Sequence, residues 1–233
     1  MVGACAIVPA FDASATLAPV VTALRAVLGV TVIVIDDGSR DATEQVARDC
    51  GAVVLRHPST RGKGAALRTG LEEAALRGMR FAVALDADGQ HPVESALAVL
   101  RGSEDPRALV LGVRDLVRDG APASNQFGNR VSNFFLSTFS GRRLLDTQCG
   151  LRRYPVAETL ALRVNADGFG FEAEVILRAI AAEVPIVEVP IAAVYPPPGG
   201  QTHRRSFADP ARIVGIVALT AAELRFGRRP KRV

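Results

Sequence analysis

Tryptophan is absent from this chain, and aromatic side chains make up only 5% of its 233 residues. Proteins that grip single-stranded nucleic acid stack bases on aromatic platforms, so no nucleic-acid partner is expected. Cysteine is scarce and odd in number: Cys5, Cys50 and Cys149 stand far apart, with no Cys-His cluster. That spacing argues against a disulfide framework or a zinc site and suits a reduced, cytoplasmic protein. Long apolar runs are missing too; none approaches the ~20 residues needed to span a bilayer. The start has no basic leader and enters Ala4-Cys5-Ala6-Ile7-Val8 directly, which reads as a buried first strand. Strong charge is also lacking. A formal net charge of +4 favours anionic partners such as phosphates or a membrane surface without singling one out.

What the chain does have is an ordinary globular composition, 48% hydrophobic and 22% charged, at a length that supports one large core. Short apolar runs at Ala4 to Val8, Thr31 to Ile35, Ala52 to Leu55, Phe81 to Leu85 and Ala108 to Leu111 read as strands. Between the first two, Leu17, Val20, Val21, Leu24, Val27 and Leu28 recur at helical spacing. The segments Asp41 to Cys50 and Gly62 to Gly78 are likewise helical. Continuous apolar strands alternating with helices predict an α/β fold with a mostly parallel sheet covered by helices on both faces. Such sheets bind ligands beyond the carboxyl ends of their strands. Three polar clusters fall there: Pro9-Ala10-Phe11-Asp12, Asp36-Asp37-Gly38-Ser39 and Asp86 to His91. The second half is less regular. Asp115 to Asn125 reads as a loop, Val131 to Phe139 as a helix, Pro185 to Val194 as a strand and Pro196 to Gly200 as a loop.

The most informative stretch is Ala84-Leu85-Asp86-Ala87-Asp88-Gly89-Gln90-His91-Pro92. A strand feeding straight into Asp-x-Asp puts two carboxylates where both can reach one hard divalent cation. A cation held by few protein oxygens keeps positions open for phosphate oxygens. The same residues also read as a solvated turn capping the next helix, with His91-Pro92 at its start. Asp36 and Asp37 read either as acceptors for ribose hydroxyls or a base edge, or as a capping turn. Lys63, between two glycines, can meet an anion closely or stand in solvent at a helix start. Gly62-x-Gly64 does not continue as a dinucleotide fingerprint, because Leu67 stands at its third position.

Several segments together carry a resemblance. They are Val8-Pro9-Ala10-Phe11, Val34 to Asp41, Arg61-Gly62-Lys63-Gly64-Ala65-Ala66, Asp86 to Pro92, Gly128-Asn129-Arg130, Asp146-Thr147-Gln148-Cys149-Gly150 and Gly170-Phe171-Glu172. In this order the chain resembles the family 2 inverting glycosyltransferases of GT-A (Rossmann-like) fold, most of all the dolichyl- and polyprenyl-phosphate mannose and glucose synthases. The resemblance implies a single catalytic domain over 1–205, followed by a C-terminal amphipathic helix and basic tail over 206–233. It implies a nucleotide-diphosphate sugar held by Pro9, Ala10, Asp12, Asp36, Asp37, Lys63, Asp86, Ala87 and Asp88. It implies Mg2+ or Mn2+ on Asp86, Asp88 and Gln90, with Asp88, Arg114 and Arg130 serving catalysis. Arg114, Arg130, Gln148, Glu172 and His203 are implied around the acceptor, with Arg152 shaping that pocket. The match departs at Asp12-Ala13, where the family often has Asn-Glu, and at Asn125-Gln126-Phe127, where an arginine often precedes Gly-Asn-Arg.

Transfer to a sugar hydroxyl needs a general base near the attacking oxygen. Relatives of that kind offer an acid in a Glu-Asp or Gln-x-x-Arg-Trp type segment, and no such segment is read in this tryptophan-free chain. A phosphate acceptor is already an anion and needs cations instead, a task suited to arginine's forked donors. The expected acceptor is therefore a polyprenyl phosphate. The alternative is a hydroxyl of a glycan or lipid, with Asp146 or Glu172 as base. Such a lipid acceptor predicts peripheral association with the inner face of the membrane. Ile213 to Leu219, followed by Arg225, Arg228, Arg229, Lys231 and Arg232, reads equally as an interfacial helix or as a core-packed helix with a basic tail.

Overall fold

The strand expectations hold in the computed structural model, which describes residues 3–168, 170–195 and, near the C-terminus, 215, 216, 219, 220 and 223. The strands are β1 (Ala4–Ala10), β2 (Thr31–Asp36), β3 (Val53–Arg56), β4 (Phe81–Ala84), β5 (Leu109–Arg114), β6 (Arg152–Pro155) and β7 (Ile186–Ile191). The helices are α1 (Ser14–Ala23), α2 (Thr43–Asp49), α3 (Lys63–Leu76), α4 (Val93–Leu100), α5 (Ala123–Ser140), α6 (Val156–Ala161) and α7 (Gly170–Ala181). A π-helical turn, Leu24–Leu28, continues α1 and stops at left-handed Gly29.

All seven strands form one sheet in the order β3-β2-β1-β4-β6-β5-β7. β1, β2, β3 and β4 are parallel, as are β5 and β7. β6 runs antiparallel between β4 and β5. The strand order therefore reverses between β1 and β4, and the crevice outside the carboxyl ends at such a switch point is where sheets of this kind bind ligands. Alternation sends Cys5 and Ile7 of β1, Ile33 and Ile35 of β2, and Ala82 and Ala84 of β4 to the face covered by α3 and α7. Ala6 and Val8, Val32 and Val34, and Val83 go to the face covered by α1 and α4. Two buried layers, one per sheet face, account for why these strands read as unbroken apolar runs.

β6 is the strand the sequence reading missed, as it missed helices α6 and α7. Arg152, Arg153 and Tyr154 are all buried, so a charged dipeptide occupies a central strand. Each guanidinium donates to several carbonyls, with Arg153 Nε alone of their nitrogens left without a hydrogen-bond partner among the described residues. Arg153 donates to the carbonyls of Leu100, Ser103, Asp105 and Ala108 and lies over the Phe81 ring, 4.8 Å from its centroid. The supposed loop at Asp115 to Asn125 is shorter than expected, because α5 already begins at Ala123. Beyond β7, His203 and the Pro196 to Gly200 loop lie outside the described residues. Near the C-terminus five helical positions are described: Glu223 pairs with Arg178 of α7 at 2.9 Å, Thr220 is buried and Leu219 is exposed.

Helix α3 approaches the sheet closely at Gly70. A Cβ there would lie 2.6 Å from Ile7 Cγ2 and 2.8 Å from Ile35 Cδ1. Gly70→Val is expected to cost about 1–3 kcal/mol by overpacking. At roughly 2–4 °C per kcal/mol for a chain of this size, the melting temperature falls measurably. Leu76→Ala, on the solvent side of the same helix, leaves it unchanged within roughly 0.5 kcal/mol.

Candidate functional site

The crevice is built by loops that leave β1, β2 and β4 and are tied to one another. The amide of Asp37 donates to the Ala10 carbonyl at 2.8 Å. The amides of Asp12, Ala13 and Ser14 donate to the side chains of Ser39, Thr43 and Asp41. Asp12 holds a left-handed φ of 47°, and its carboxylate accepts from the Arg40 amide at 2.7 Å. Pro9 and Ala10 thus end β1 with backbone fixed to the β2 loop. The two adjacent acids of the second loop do different work. Asp37 is a structural hub: it accepts from the amides of Arg61 and Gly62 at 2.9 and 2.8 Å, with His57 Nδ1 at 2.6 Å. It thereby sets the turn that starts α3. Asp36 accepts the Ser39 amide on Oδ1. Its buried Oδ2 has no hydrogen-bond partner among the described residues, only the ion pair with Arg56 Nε at 3.6 Å.

At the third loop, Lys63 from the first turn of α3 reaches across to Asp86. Its ammonium lies 2.5 Å from Asp86 Oδ1 and 2.9 Å from Glu172 Oε1 of α7. Burial alone would pull the lysine pKa down, but the two carboxylates more than offset this and hold it above its ordinary value. Gly150 leaves space for the group: a Cβ there would come within 2.6 Å of Asp86 Oδ2 and 2.8 Å of Lys63 Nζ. Ala87 is buried under the loop, and the Gln90 amide donates to Asp88 Oδ1 at 3.0 Å. The Gln90 carbonyl accepts from the Val194 amide at 2.8 Å. Next in the chain, His91 is buried. Burial pushes its pKa down to about 4, against the pull of Asp86.

Across the crevice, Arg114 at the end of β5 has a buried partner. Its Nε and Nη2 fork onto Asp146 at 2.7 and 3.0 Å, its amide also donates to Asp146, and Nη1 donates to the Tyr195 hydroxyl at 3.2 Å. Arg114 is thus not a bare surface cation, and Tyr195 is a neighbour the sequence reading did not foresee. Arg130 is exposed on α5 and, with Arg114, Arg118 and Asn129, lines a cavity of about 460 Å³. The side-chain oxygen of Asn129 there is buried without a partner among the described residues. Gln148 donates to the Gly128 carbonyl at 3.3 Å, holding the Asp146–Gly150 segment against α5. Arg152 lies underneath, donating to the carbonyls of Cys149, Glu172 and Thr147. A Glu-Asp pair does occur, contrary to the sequence reading, as Glu104-Asp105, but it precedes β5 at the opposite end of the sheet.

The carboxyl ends of the sheet thus carry acids on the β1–β4 side and arginines on the β5 side of one α/β fold. Residues 5–157 match Glycosyl transferase family 2, and the chain belongs to that family. It is 30% identical over 217 residues to the glycosyltransferase AglJ of Haloferax volcanii, covering 92% of this chain and 69% of that one. It is 26% identical over 214 residues to a UDP-N-acetylglucosamine–dolichyl-phosphate N-acetylglucosaminyltransferase of Methanococcus voltae, covering 81% and 84% of the two chains. Among solved structures it superposes with TM-score 0.71 on glucosyl-3-phosphoglycerate synthase of Mycobacterium tuberculosis in complex with Mn2+, UDP-glucose and phosphoglyceric acid. That match covers 94% of this chain and 79% of the other at 19% identity, a likeness of fold, here GT-A.

Removing one partner of the buried Arg114–Asp146 pair strands a charge. Asp146→Asn is expected to cost roughly 3 kcal/mol in urea denaturation, whereas Glu73→Gln, which breaks the exposed pair with Arg77, costs less than ~0.5 kcal/mol. A second expectation concerns pH. The unfolded chain protonates His91 near pH 6.5, the folded chain only near pH 4. The unfolded state therefore binds the extra proton in that window, and stability falls as pH drops from 6.5 to 4. His91→Gln removes this component, up to ~3 kcal/mol at about 1.36 kcal/mol per pKa unit, seen as a shallower acid limb of the stability curve.

Proposed function

We propose that this protein is a metal-dependent inverting hexosyltransferase that moves a sugar from a nucleotide-diphosphate donor to a polyprenyl (dolichyl-type) phosphate. The observation that carries the reading is the pairing of the carboxylates. Both acids offered as general bases for a hydroxyl acceptor, Asp146 and Glu172, have cationic partners: Arg114 forks onto the first and Lys63 meets the second. A phosphate acceptor needs no base. Its oxygen attacks the anomeric carbon from the face opposite the leaving group, the bond from that carbon to the donor's phosphate oxygen breaks, and the nucleoside diphosphate departs with the electron pair. Family membership and the dolichyl-phosphate-using relative support the same acceptor class.

The donor fits the β1–β4 side. Asp36 Oδ2 lacks a hydrogen-bond partner among the described residues, as an acceptor for ribose hydroxyls requires, and Pro9, Ala10 and Asp12 would border the base. Asp37 would act through the loop it anchors, by fixing Gly62 and Lys63. Among the described residues no group of three His, Cys, Asp or Glu side chains can hold a metal by itself. A small hard cation takes one or two carboxylates and completes its shell with water and substrate phosphates. Asp86, Asp88 and Gln90 offer only oxygen donors suited to Mg2+ or Mn2+, and a divalent ion there supplies charge neutralisation for the leaving diphosphate. Lys63 would share that role, since its ammonium already borders Asp86. On the acceptor side, Arg114 and Arg130 would hold the incoming phosphate, with Gln148 and Glu172 shaping the pocket; His203, assigned to the same role by the resemblance, lies outside the described residues. No described helix is long and apolar enough to cross a membrane. Peripheral association on the cytoplasmic face is the arrangement proposed.

Transfer of labelled sugar is expected with a prenyl phosphate, Mn2+ and a nucleotide-diphosphate hexose, and is abolished by chelator. Asp88→Ala, folded by its melting curve, should lose roughly a hundredfold or more in turnover. Transfer only to free saccharide or lipid hydroxyls would establish the alternative family 2 activity, and full turnover in chelator would overturn the metal role.

A further inference from the structure

Helix α5 is built inside out. Its buried side carries Gly128, Asn129, Ser132 and Leu136, whereas Phe127 and Phe134 are 67% and 66% exposed. A surface helix normally turns its apolar stripe to the core. Here the inner side is held by polar contacts instead: Ser132 bonds the Thr147 hydroxyl at 2.8 Å, and Asn133 bonds the Leu145 carbonyl and the Thr147 amide at 2.6 and 2.9 Å. The outer stripe, Phe127, Arg130, Val131 and Phe134, follows i, i+3, i+4, i+7 spacing. Four of the chain's ten phenylalanines lie on this one helix. Of the nine large apolar side chains exposed among the described residues, five fall between Val117 and Leu145. Such clustering marks an interaction surface.

The charge of the segment identifies the partner. From Gly120 to Leu145 there is no acidic residue, while Arg130, Arg142 and Arg143 are all exposed. Arg118, on the preceding turn, is exposed as well but pairs with Asp119 at 3.1 Å, so the unmatched positive charge of the face rests on the three arginines above. Phenyl rings flanked by guanidiniums match a bilayer surface, with rings entering the acyl boundary and cations meeting lipid phosphates. We infer that the outer face of α5, with Val117 and Leu145 at its rim, docks on an anionic lipid bilayer. The cavity lined by Arg114 and Arg130 opens beside this face, with Val117 and Leu145 among its walls. A prenyl phosphate then presents its headgroup to the arginines while its tail stays in the membrane. This last step rests on the proposed acceptor; the docking itself does not.

The test uses the full chain and vesicles free of donor and acceptor. Wild type is expected to co-sediment with phosphatidylcholine vesicles containing phosphatidylglycerol, less so at high salt. The Phe127→Ser/Phe134→Ser double variant should bind at least tenfold more weakly with an unchanged melting temperature. Turnover on a short, water-soluble prenyl phosphate should be the same in both, and turnover on a long-chain acceptor in vesicles should fall in the variant. Equal vesicle binding by the two proteins overturns the inference. So does loss of binding only when Arg228 and Arg229 are changed to serine, which would place the contact in the basic tail. A wild-type dimer that dissociates in the double variant, with no vesicle binding by either, would make the face a protein interface and overturn it likewise. Failure of the short-acceptor assay in wild type would instead count against the proposed acceptor and leave the vesicle result standing.

Discussion

One buried ammonium joins the two halves of the site. Lys63 starts α3, Asp86 ends the β4 strand segment, and Glu172 sits in the first turn of α7, yet the three meet within hydrogen-bond distance. The arrangement is demanding. A lysine and a glutamate taken from water cost several kcal/mol each unless their charges are matched, and here one cation stands between two carboxylates. The backbone around them is correspondingly specialised. Gly62 has a φ of 93°, reached only because Asp37 accepts its amide and the one before it. Gly150 leaves no Cβ to displace the pair. The loops proposed for donor and acceptor therefore share one electrostatic centre, and the cation beside Asp86 has its position already set.

Much of the first half was legible in the sequence because local pattern and global fold agree there. Apolar runs of four to seven residues followed by acids give strand ends, and parallel pairing puts those ends together. Thus Asp36, Asp86 and Asp88 could be assigned to one crevice without knowing a single contact. Which of the two neighbouring acids, Asp36 or Asp37, would face a ligand could not be read, because that depends on long-range partners. Only the fold shows that Asp37 is engaged by Arg61, Gly62 and His57, residues twenty or more positions away. Likewise, nothing local told that Asp146 would fork with Arg114 across 32 positions.

β6 was illegible for a different reason. Arg152-Arg153-Tyr154-Pro155 has no apolar alternation, and its proline would ordinarily argue against a central strand. The strand exists because two arginines are desolvated by carbonyls rather than by carboxylates. Arg153 closes the turn after α4, and Arg152 ties Thr147, Cys149 and Glu172 together. Pairing between β4 and β6 places those carbonyls; the arginines then make the strand affordable. Charge here acts as a scaffold for the site, not as the site.

The same logic separates Arg130 from Arg114, although both were grouped as acceptor contacts. Arg114 is fixed by Asp146 and Tyr195, so its charge is largely matched and its role is geometric precision near the crevice. Arg130 stands exposed on the outer stripe of α5 between Phe127 and Phe134. A cation placed among exposed phenyl rings is poorly suited to a water-soluble acceptor, which would gain nothing from the rings. It is well suited to a headgroup anchored in lipid, where the apolar neighbours share the boundary and the guanidinium meets phosphate. The scarcity of aromatics that first argued against nucleic acid thus takes on a positive sense, since the few phenylalanines the chain has are concentrated where an acyl surface would meet the arginine-lined cavity.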